Sequence, residues 1–448
     1  MKSKYDFLIV GAGPAGMFAA LELSKLVKNK KVILIDIGEK IENRKASQVM
    51  CGVGGAGTFS DGKMHFSPTL SHEKAFHLIS IKDYQVILDY VDQVLTSYGV
   101  DSEYFPKDSS EVQKLVEEAQ KNDIYLVPRR IRHVGTDKLK EVMQKFQNDL
   151  EKHKVEILPN TEVVDLIIEN KTCIGVITKD LQKIYANKIL LAPGRIKASW
   201  LQEMAKKHDI GFVYDIVEVG VRVEFPSFVM SKFSDQMYEA VFKIRTRTFD
   251  DIVRTFCPCP NGMVALEKYD GFICVNGYSN SDHKSENSNF AFLCEVRLTD
   301  PVENTIEYAK SIAQVASTIG GGKPLIQRLS DLQRGQRSTW TRIDKSLIKP
   351  SLLDVTPGDL AMALPYRILK NILEGLEQLD KIMPGINAGS TLLYAPEVKF
   401  RTTKFATKKS METNNIKNLF VAGDAAGLSG SITGAASTGV MAGRGMVL

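Results

Sequence analysis

The string Gly11-Ala12-Gly13-Pro14-Ala15-Gly16 sits between an apolar run, Tyr5 to Val10, and a stretch with helical spacing, Met17 to Val27. A second apolar run, Lys31 to Asp36, follows, so the order is strand, glycine-rich turn, helix, strand: a βαβ unit. Each glycine has its own reason. Gly11 permits the tight turn, Gly13 lets the backbone approach a pyrophosphate, and Gly16 lets the helix pack close to the strand. The helix N-terminus supplies amides and a positive dipole for phosphates. Asp36 ends the second strand about 20 residues after Gly16, where a carboxylate accepts from ribose hydroxyls and disfavours a 2′-phosphate.

The remaining composition narrows the class. The 448 residues suggest two or three structural units. Charged residues make up 25% and hydrophobic ones 44%, the balance of a globular protein. Lys and Arg number 58 against 53 acidic residues, a net +5 without a basic block, so no nucleic-acid partner is implied. No apolar run reaches the roughly 18 residues of a membrane span, and Phe7 to Val10 lacks the flanks of a signal peptide, which predicts a cytoplasmic protein. The six cysteines show no Cys-x-x-Cys spacing and no Cys/His set suited to zinc, so no metal is expected and free thiols in a reducing compartment are.

Along the chain, a glycine-rich loop from Glu42 to Lys63 precedes two helical patterns, Tyr84 to Ser97 and Ser109 to Lys121, read as an inserted helical cap over about 72–122. A helix that begins in Thr136-Asp137-Lys138-Leu139, with Thr136 or Asp137 placed to cap it, runs to about His153, and short strands between Val155 and Tyr185 suggest a β-meander beside the parallel sheet, with Lys188 to Ala192 the next buried strand. From 212 to 344 the sequence turns strand-rich. The expected organisation is a first domain over 1–211, a substrate domain over 212–344, and a return to the first domain over 345–448.

Up to here a dehydrogenase using NAD alone fits as well as a flavoprotein. The far end separates them: Asn418-Leu419-Phe420-Val421-Ala422-Gly423-Asp424 reads as a buried strand delivering an Asp at a turn before a helix that begins near Ser431. In this the sequence resembles the two-dinucleotide-binding-domain FAD oxidoreductases, and across its length a subfamily of uncharacterised bacterial FAD-dependent dehydrogenases. The resemblance implies an α/β fold: a Rossmann-like FAD-binding domain with parallel sheet and β-meander, plus an inserted β-rich α+β substrate domain. It also implies that Gly423 and Asp424 hold the ribityl region and that Ile432, Thr433 and Gly434 present a helix N-terminus to the flavin. Val163 matches a strand that clasps the adenine edge. Ala192 and Gly194 match an Ala-Thr-Gly motif whose Thr is here Pro193, and Arg44 matches an arginine aimed at the phosphates. Gly54 and Gly55, in the run Cys51 to Lys63, let the backbone lie flat against a ring.

The resemblance names no substrate. Expected chemistry is hydride transfer through flavin N5 with a small molecule, with NAD(P)H as a transient donor, since no second glycine fingerprint appears between 150 and 300. Candidate catalytic groups are Lys63 and His65 after the glycine-rich loop, and Cys257 and Cys259 in a Pro-constrained Cys-x-Cys, where a disulfide is strained. Arg334 and Arg337 offer bidentate forks to a substrate carboxylate, or else form a solvated face. The alternatives are the NAD-only dehydrogenase and a flavin-binding protein with an RNA-modifying or non-catalytic role; a homodimer is compatible with all of them.

Overall fold

The first apolar run becomes strand β1, Tyr5–Val10, and the glycine turn leads into helix α1, Pro14–Leu26, whose proline occupies the first turn where its missing N–H costs nothing. Strand β2, Val32–Ile35, pairs parallel with β1, Val10 lying beside Ile35. The computed structural model describes residues 5–45, 48, 50–60, 62–68, 75–237, 239–269, 271–279, 284–298, 304–399 and 403–448. These fall into two compact units: the first takes Met1–Tyr104, Arg130–Asp215 and Thr402–Leu448, the second Phe105–Arg129 and Ile216–Arg401.

The first unit continues with strand β3, Lys63–His65, helix α2, Ile81–Ser97, strand β4, Ile131–His133, and helix α3, Thr136–Lys152, which has Gly135 at its capping position. Strands β5, Glu156–Leu158, β6, Val163–Glu169, β7, Thr172–Thr178, and β8, Lys183–Leu191, follow. The C-terminal segment adds strand β9, Leu419–Val421, and helix α4, Ile432–Gly445. The parallel sheet runs β5, β2, β1, β8, with β9 also on β8. β8 serves two structures: its Lys183–Tyr185 end pairs antiparallel with β7, and its Ala186–Leu191 part pairs parallel with β1. The meander is therefore β6, β7 and the start of β8, while β5 belongs to the parallel sheet.

The C-terminus is built into the first unit by close helix packing. A Cβ on Gly439 of α4 would lie 2.1 Å from the Ala15 carbonyl oxygen of α1, so glycine is what permits the contact.

The second unit is an eight-stranded sheet in the order Thr356–Pro357, Leu325–Arg328, Leu392–Lys399, Val217–Pro226, Asn287–Val296, Ile252–Cys259, Val241–Arg245 and Ile124–Val127, with a separate hairpin, Met263–Tyr269 and Phe272–Tyr278. Two expected boundaries move. The return to the first unit comes at 402 rather than 345, because Leu392–Lys399 pairs with Val217–Pro226 inside the large sheet. The supposed helical cap is two pieces. α2 buries Tyr84, Leu88, Val91 and Leu95 in the first core, whereas Val112, Leu115 and Ala119 of Ser109–Gln120 belong to the second. Its expected start, 72–74, lies outside the described residues. Among the described residues no helix is long and apolar enough to cross a membrane, and no group of His, Cys, Asp and Glu is placed to hold a metal ion.

Candidate functional site

At the carboxyl ends of β1, β2, β8 and β9 the first unit forms a half-open cleft, the place where open α/β sheets bind their ligands. One wall is the first turn of α1: Gly11, Gly13, Pro14 and Ala15 line it, and no described side chain caps this helix. Its leading amides are thus available to an anion. A Cβ on Gly13 would find only the Gly55 Cα, at 3.8 Å, so the bare glycine leaves open a cradle at the helix end. Gly16 lies behind the wall: a Cβ there would meet the Gly11 carbonyl oxygen at 1.9 Å, the close packing expected of the third glycine.

Asp36 also lines the cavity and shapes it. Its Oδ2 accepts from Ala12 N at 2.8 Å, and Oδ1 from Gly52 N at 2.7 Å and Gly38 N at 2.9 Å. Burial pushes this carboxyl above its ordinary range, opposed by the three amides and the Arg44 charge. The carboxylate thereby ties the glycine turn to the loop around Gly52.

Arg44 differs from expectation. Nη1 donates to Val53 O at 2.8 Å, Gly55 O at 2.9 Å and Thr58 Oγ1 at 3.0 Å, and Nη2 to Gln48 O at 2.7 Å. The guanidinium is buried inside the glycine-rich loop and does not line the cavity; its two Nη groups hold that loop. Gly54 is likewise part of the loop's folding, with N donating to Ala12 O at 2.8 Å, while Gly55 reaches the cavity. Burial and Asp36 push up the thiol of Cys51, which lines the same wall.

The opposite wall comes from both sides of the β8–β9 pair. Ala192, Pro193, Gly194 and Arg195 follow β8, and Gly423 and Asp424 follow β9. Gly194 and Gly423 both have positive φ, +66° and +78°, which lets each chain turn sharply off its strand. Arg195 Nε donates to Asp424 Oδ2 at 2.9 Å, and Ser429 Oγ to Asp424 Oδ1 at 2.5 Å. Arg195 is a cavity residue that sequence reasoning missed, although its place directly after the motif glycine was a signal.

The start of α4 completes the site. Ser431, Ile432 and Ala435 line it, and Ser431 Oγ caps the helix by accepting from Gly434 N at 3.0 Å. Thr433 is buried behind them, its hydroxyl donating to the His65 carbonyl at 2.5 Å, so β3 is pinned to the helix N-terminus. Val163, Thr433, Gly434, Lys63 and His65 do not themselves line the cavity. Val163 is a buried core residue paired with Thr178.

The remaining expected residues lie in the second unit. Arg334 and Arg337 are exposed, on a turn held by Asp331, which accepts from Arg328 Nη2 at 2.9 Å and Ser338 Oγ at 2.7 Å. Cys257 and Cys259 occupy a bulge at the end of Ile252–Cys259, where the register shifts between Phe256 and Cys259.

The site fits a flavin dinucleotide: an uncapped helix start, a bare glycine, a carboxylate at the end of the second strand and a second carboxylate delivered by the C-terminal strand. Residues 6–212 match the family described as FAD binding domain, residues 217–400 FAD-dependent protein, C-terminal domain-like, and residues 355–448 Glucose inhibited division protein A. An uncharacterised protein of Clostridium beijerinckii is 23% identical over 97% of this chain and 79% of its own. Among solved structures, a formate oxidase from Aspergillus oryzae is 11% identical over 99% of this chain and 98% of its own, with a TM-score of 0.49. A 3-ketosteroid-Δ4-(5α)-dehydrogenase from Rhodococcus jostii is 12% identical over 99% and 96%, with a TM-score of 0.46. With the FAD binding domain model over 6–212 and the FAD-dependent protein, C-terminal domain-like model over 217–400, the chain carries the two parts of an FAD-dependent protein.

Proposed function

We propose that the chain exchanges a hydride with a small anionic molecule, and that NADH or NADPH serves as a transient donor. The observation that carries this reading is the convergence of the uncapped α1 start, Asp36 and the Arg195–Asp424 pair on one cavity. When bound, FAD supplies two-electron transfer at its ring. The chain's own groups bind and orient. The α1 amides and Arg195 take the phosphates, Asp36 the adenosine ribose, and Asp424 the ribityl hydroxyls. The α4 N-terminus favours negative charge beside Ile432. His65 and Lys63, on the strand that Thr433 anchors beside the α4 start but outside the cavity lining, are our candidates for the substrate's proton and its anion. Thiol cysteines throughout fit a cytoplasmic, reducing setting.

Anaerobic titration of the purified protein with NADH, then NADPH, followed by a panel of small carboxylates and neutral analogues, tests this. Bleaching and recovery of the flavin band with carboxylates alone, and a raised KM in Lys63→Ala, are expected. A band unmoved by any of them, or neutral compounds turned over equally well, overturns it.

A further inference from the structure

Cys257 and Cys259 sit where one cation serves both. At Cys257 the backbone takes φ +46°, a left-handed conformation uncommon for a side-chain-bearing residue, and the bulge curls so that Cys259 Sγ lies 3.5 Å from the Cys257 carbonyl oxygen. Arg222 spans the curl: Nη2 donates to Cys257 O at 2.8 Å and to Cys259 Sγ at 3.3 Å. The guanidinium is fully buried and fixed from its other side by Asn289 Oδ1 at 2.8 Å and Glu397 Oε1 at 3.2 Å. Lys399 Nζ, 3.0 Å from Glu397 Oε1, adds a second cation to the cluster.

Small residues keep this arrangement close. A Cβ on Gly277 would lie 1.8 Å from Arg222 Nη2 and 2.7 Å from Cys259 Sγ, and one on Gly262 2.7 Å from the Cys259 Cβ. Both thiols are within electrostatic reach of Arg222. Burial pushes Cys173 and Cys274 up to about 12 and Cys294 up to about 11, and pushes Cys51 up against the pull of the nearby Arg44 charge. The two differ in access as a reacting and a resolving thiol should, Cys257 half-buried and Cys259 buried.

We propose that Cys257 and Cys259 form a hydroperoxide-oxidised dithiol, Cys257 the attacking thiol, Cys259 the resolving thiol and Arg222 the cation that favours their thiolates. The Cys257 sulfur attacks one peroxide oxygen: an S–O bond forms, the O–O bond breaks, and the departing hydroxide takes a proton to leave as water. Cys259 then attacks the Cys257 sulfenic sulfur. The S–S bond forms, the S–O bond breaks, and the hydroxyl leaves with the Cys259 proton as a second water. Two thiols lose two electrons and one hydrogen peroxide becomes two waters. A Cys-x-Cys ring is strained, which makes the disulfide more oxidising and readily reduced by a dithiol.

The test treats the full-length flavin-loaded protein with a few equivalents of hydrogen peroxide, then denatures, alkylates and digests it with trypsin. The segment Thr255 to Lys268 contains only these two cysteines. Expected is loss of alkylation at both, a mass lower by about 2 Da, and full reversal by dithiothreitol. In Cys259→Ser, Cys257 gains about 32 Da as sulfinic acid, because nothing resolves it. In Cys257→Ser, Cys259 stays alkylatable after denaturation. In Arg222→Lys, oxidation slows at least several-fold. A segment that stays fully alkylatable under peroxide, or a Cys257 that resists oxidation in Cys259→Ser, overturns the proposal. The Cys259→Ser reading holds even if Arg222→Lys fails to fold.

Discussion

Arg195 and Asp424 are 229 residues apart in sequence, yet Arg195 Nε donates to Asp424 Oδ2 at 2.9 Å. The pair bridges the turns that follow β8 and β9, and each turn leaves its strand through a glycine of positive φ. The Arg195 side chain is 61% exposed and that of Asp424 only 15%, so the guanidinium stands at the cavity mouth and the carboxylate within its wall. With Arg44 committed to loop carbonyls, Arg195 is the arginine among the cavity-lining residues.

A first prediction follows for Arg195→Ala. FAD affinity drops about tenfold, since a charge-assisted hydrogen bond contributes roughly 1.5–3 kcal/mol and a factor of ten is about 1.4 kcal/mol. Thermal stability of the apoprotein changes little, because an exposed ion pair contributes at most about 1 kcal/mol. Fluorescence titration of apoprotein with FAD measures the first and calorimetry the second; an unchanged Kd removes Arg195 from the phosphate site.

Gly439→Ala tests the join between the chain's ends. The added methyl would stand 2.1 Å from the Ala15 carbonyl oxygen, a backbone atom that cannot rotate away, so α1 and α4 must separate. Overpacking of this kind costs roughly 1–3 kcal/mol, and separation also moves the α1 start that forms the cavity wall. Urea unfolding and flavin content should therefore fall together. The control is Gly211→Ala, whose Cβ makes an ordinary 3.5 Å contact with Ala406.

What the sequence made legible was local and backbone-based. Gly11, Gly13, Gly16 and Asp36 follow from strand, turn and helix geometry; Gly11, Gly13 and Asp36 line the cavity and Gly16 packs behind its wall. The delivery of Asp424 by a buried C-terminal strand was also readable, because a three-residue apolar strand before Gly-Asp is a short, distinctive pattern. Side-chain destinations were not. Nothing in the spacing of Arg44 tells whether its guanidinium meets phosphate oxygens or the carbonyls of Val53 and Gly55. The boundary near 345 failed for a different reason: Leu392–Lys399 completes a sheet with Val217–Pro226, and a pairing across that separation leaves no local mark. The two helices read as one cap parted for the same reason, since each amphipathic face found a different core.

Arg44→Ala should undo the glycine-rich loop while touching no ligand. The guanidinium satisfies three backbone carbonyls and the Thr58 hydroxyl, and its charge stands near Asp36. Removing it leaves those acceptors buried, at about 3 kcal/mol or more in total from penalties of roughly 1–3 kcal/mol each. Arg44→Lys restores charge and not the fork, so it should rescue little. Limited proteolysis between 44 and 60 should accelerate in both variants, and flavin should be lost more readily. Rescue by lysine would mean that charge, and not the fork, holds the loop.

The pair Asp251–Arg367 in the second unit gives a pH-dependent prediction with a definite sign. Arg367 donates from Nε and Nη2 to the Asp251 oxygens at 2.6 and 2.7 Å, and Asn371 donates to Oδ2 at 2.7 Å. The Arg367 bonds hold the carboxyl below its ordinary range against the opposing effect of burial. A carboxyl depressed on folding binds its proton more readily in the unfolded chain, so its stabilisation is present above the unfolded value of about 3.9 and fades as pH falls through the lower folded value. Arg367 is 60% exposed, and solvent screening keeps the contribution at or below about 1 kcal/mol. Arg367→Ala should thus unfold at lower urea concentration than the parent at pH 6 and 7, by the same margin at both. That margin should narrow below pH 4, where Asp251 takes up its proton in both chains. A margin that instead widens on acidification would place the lowered carboxyl elsewhere.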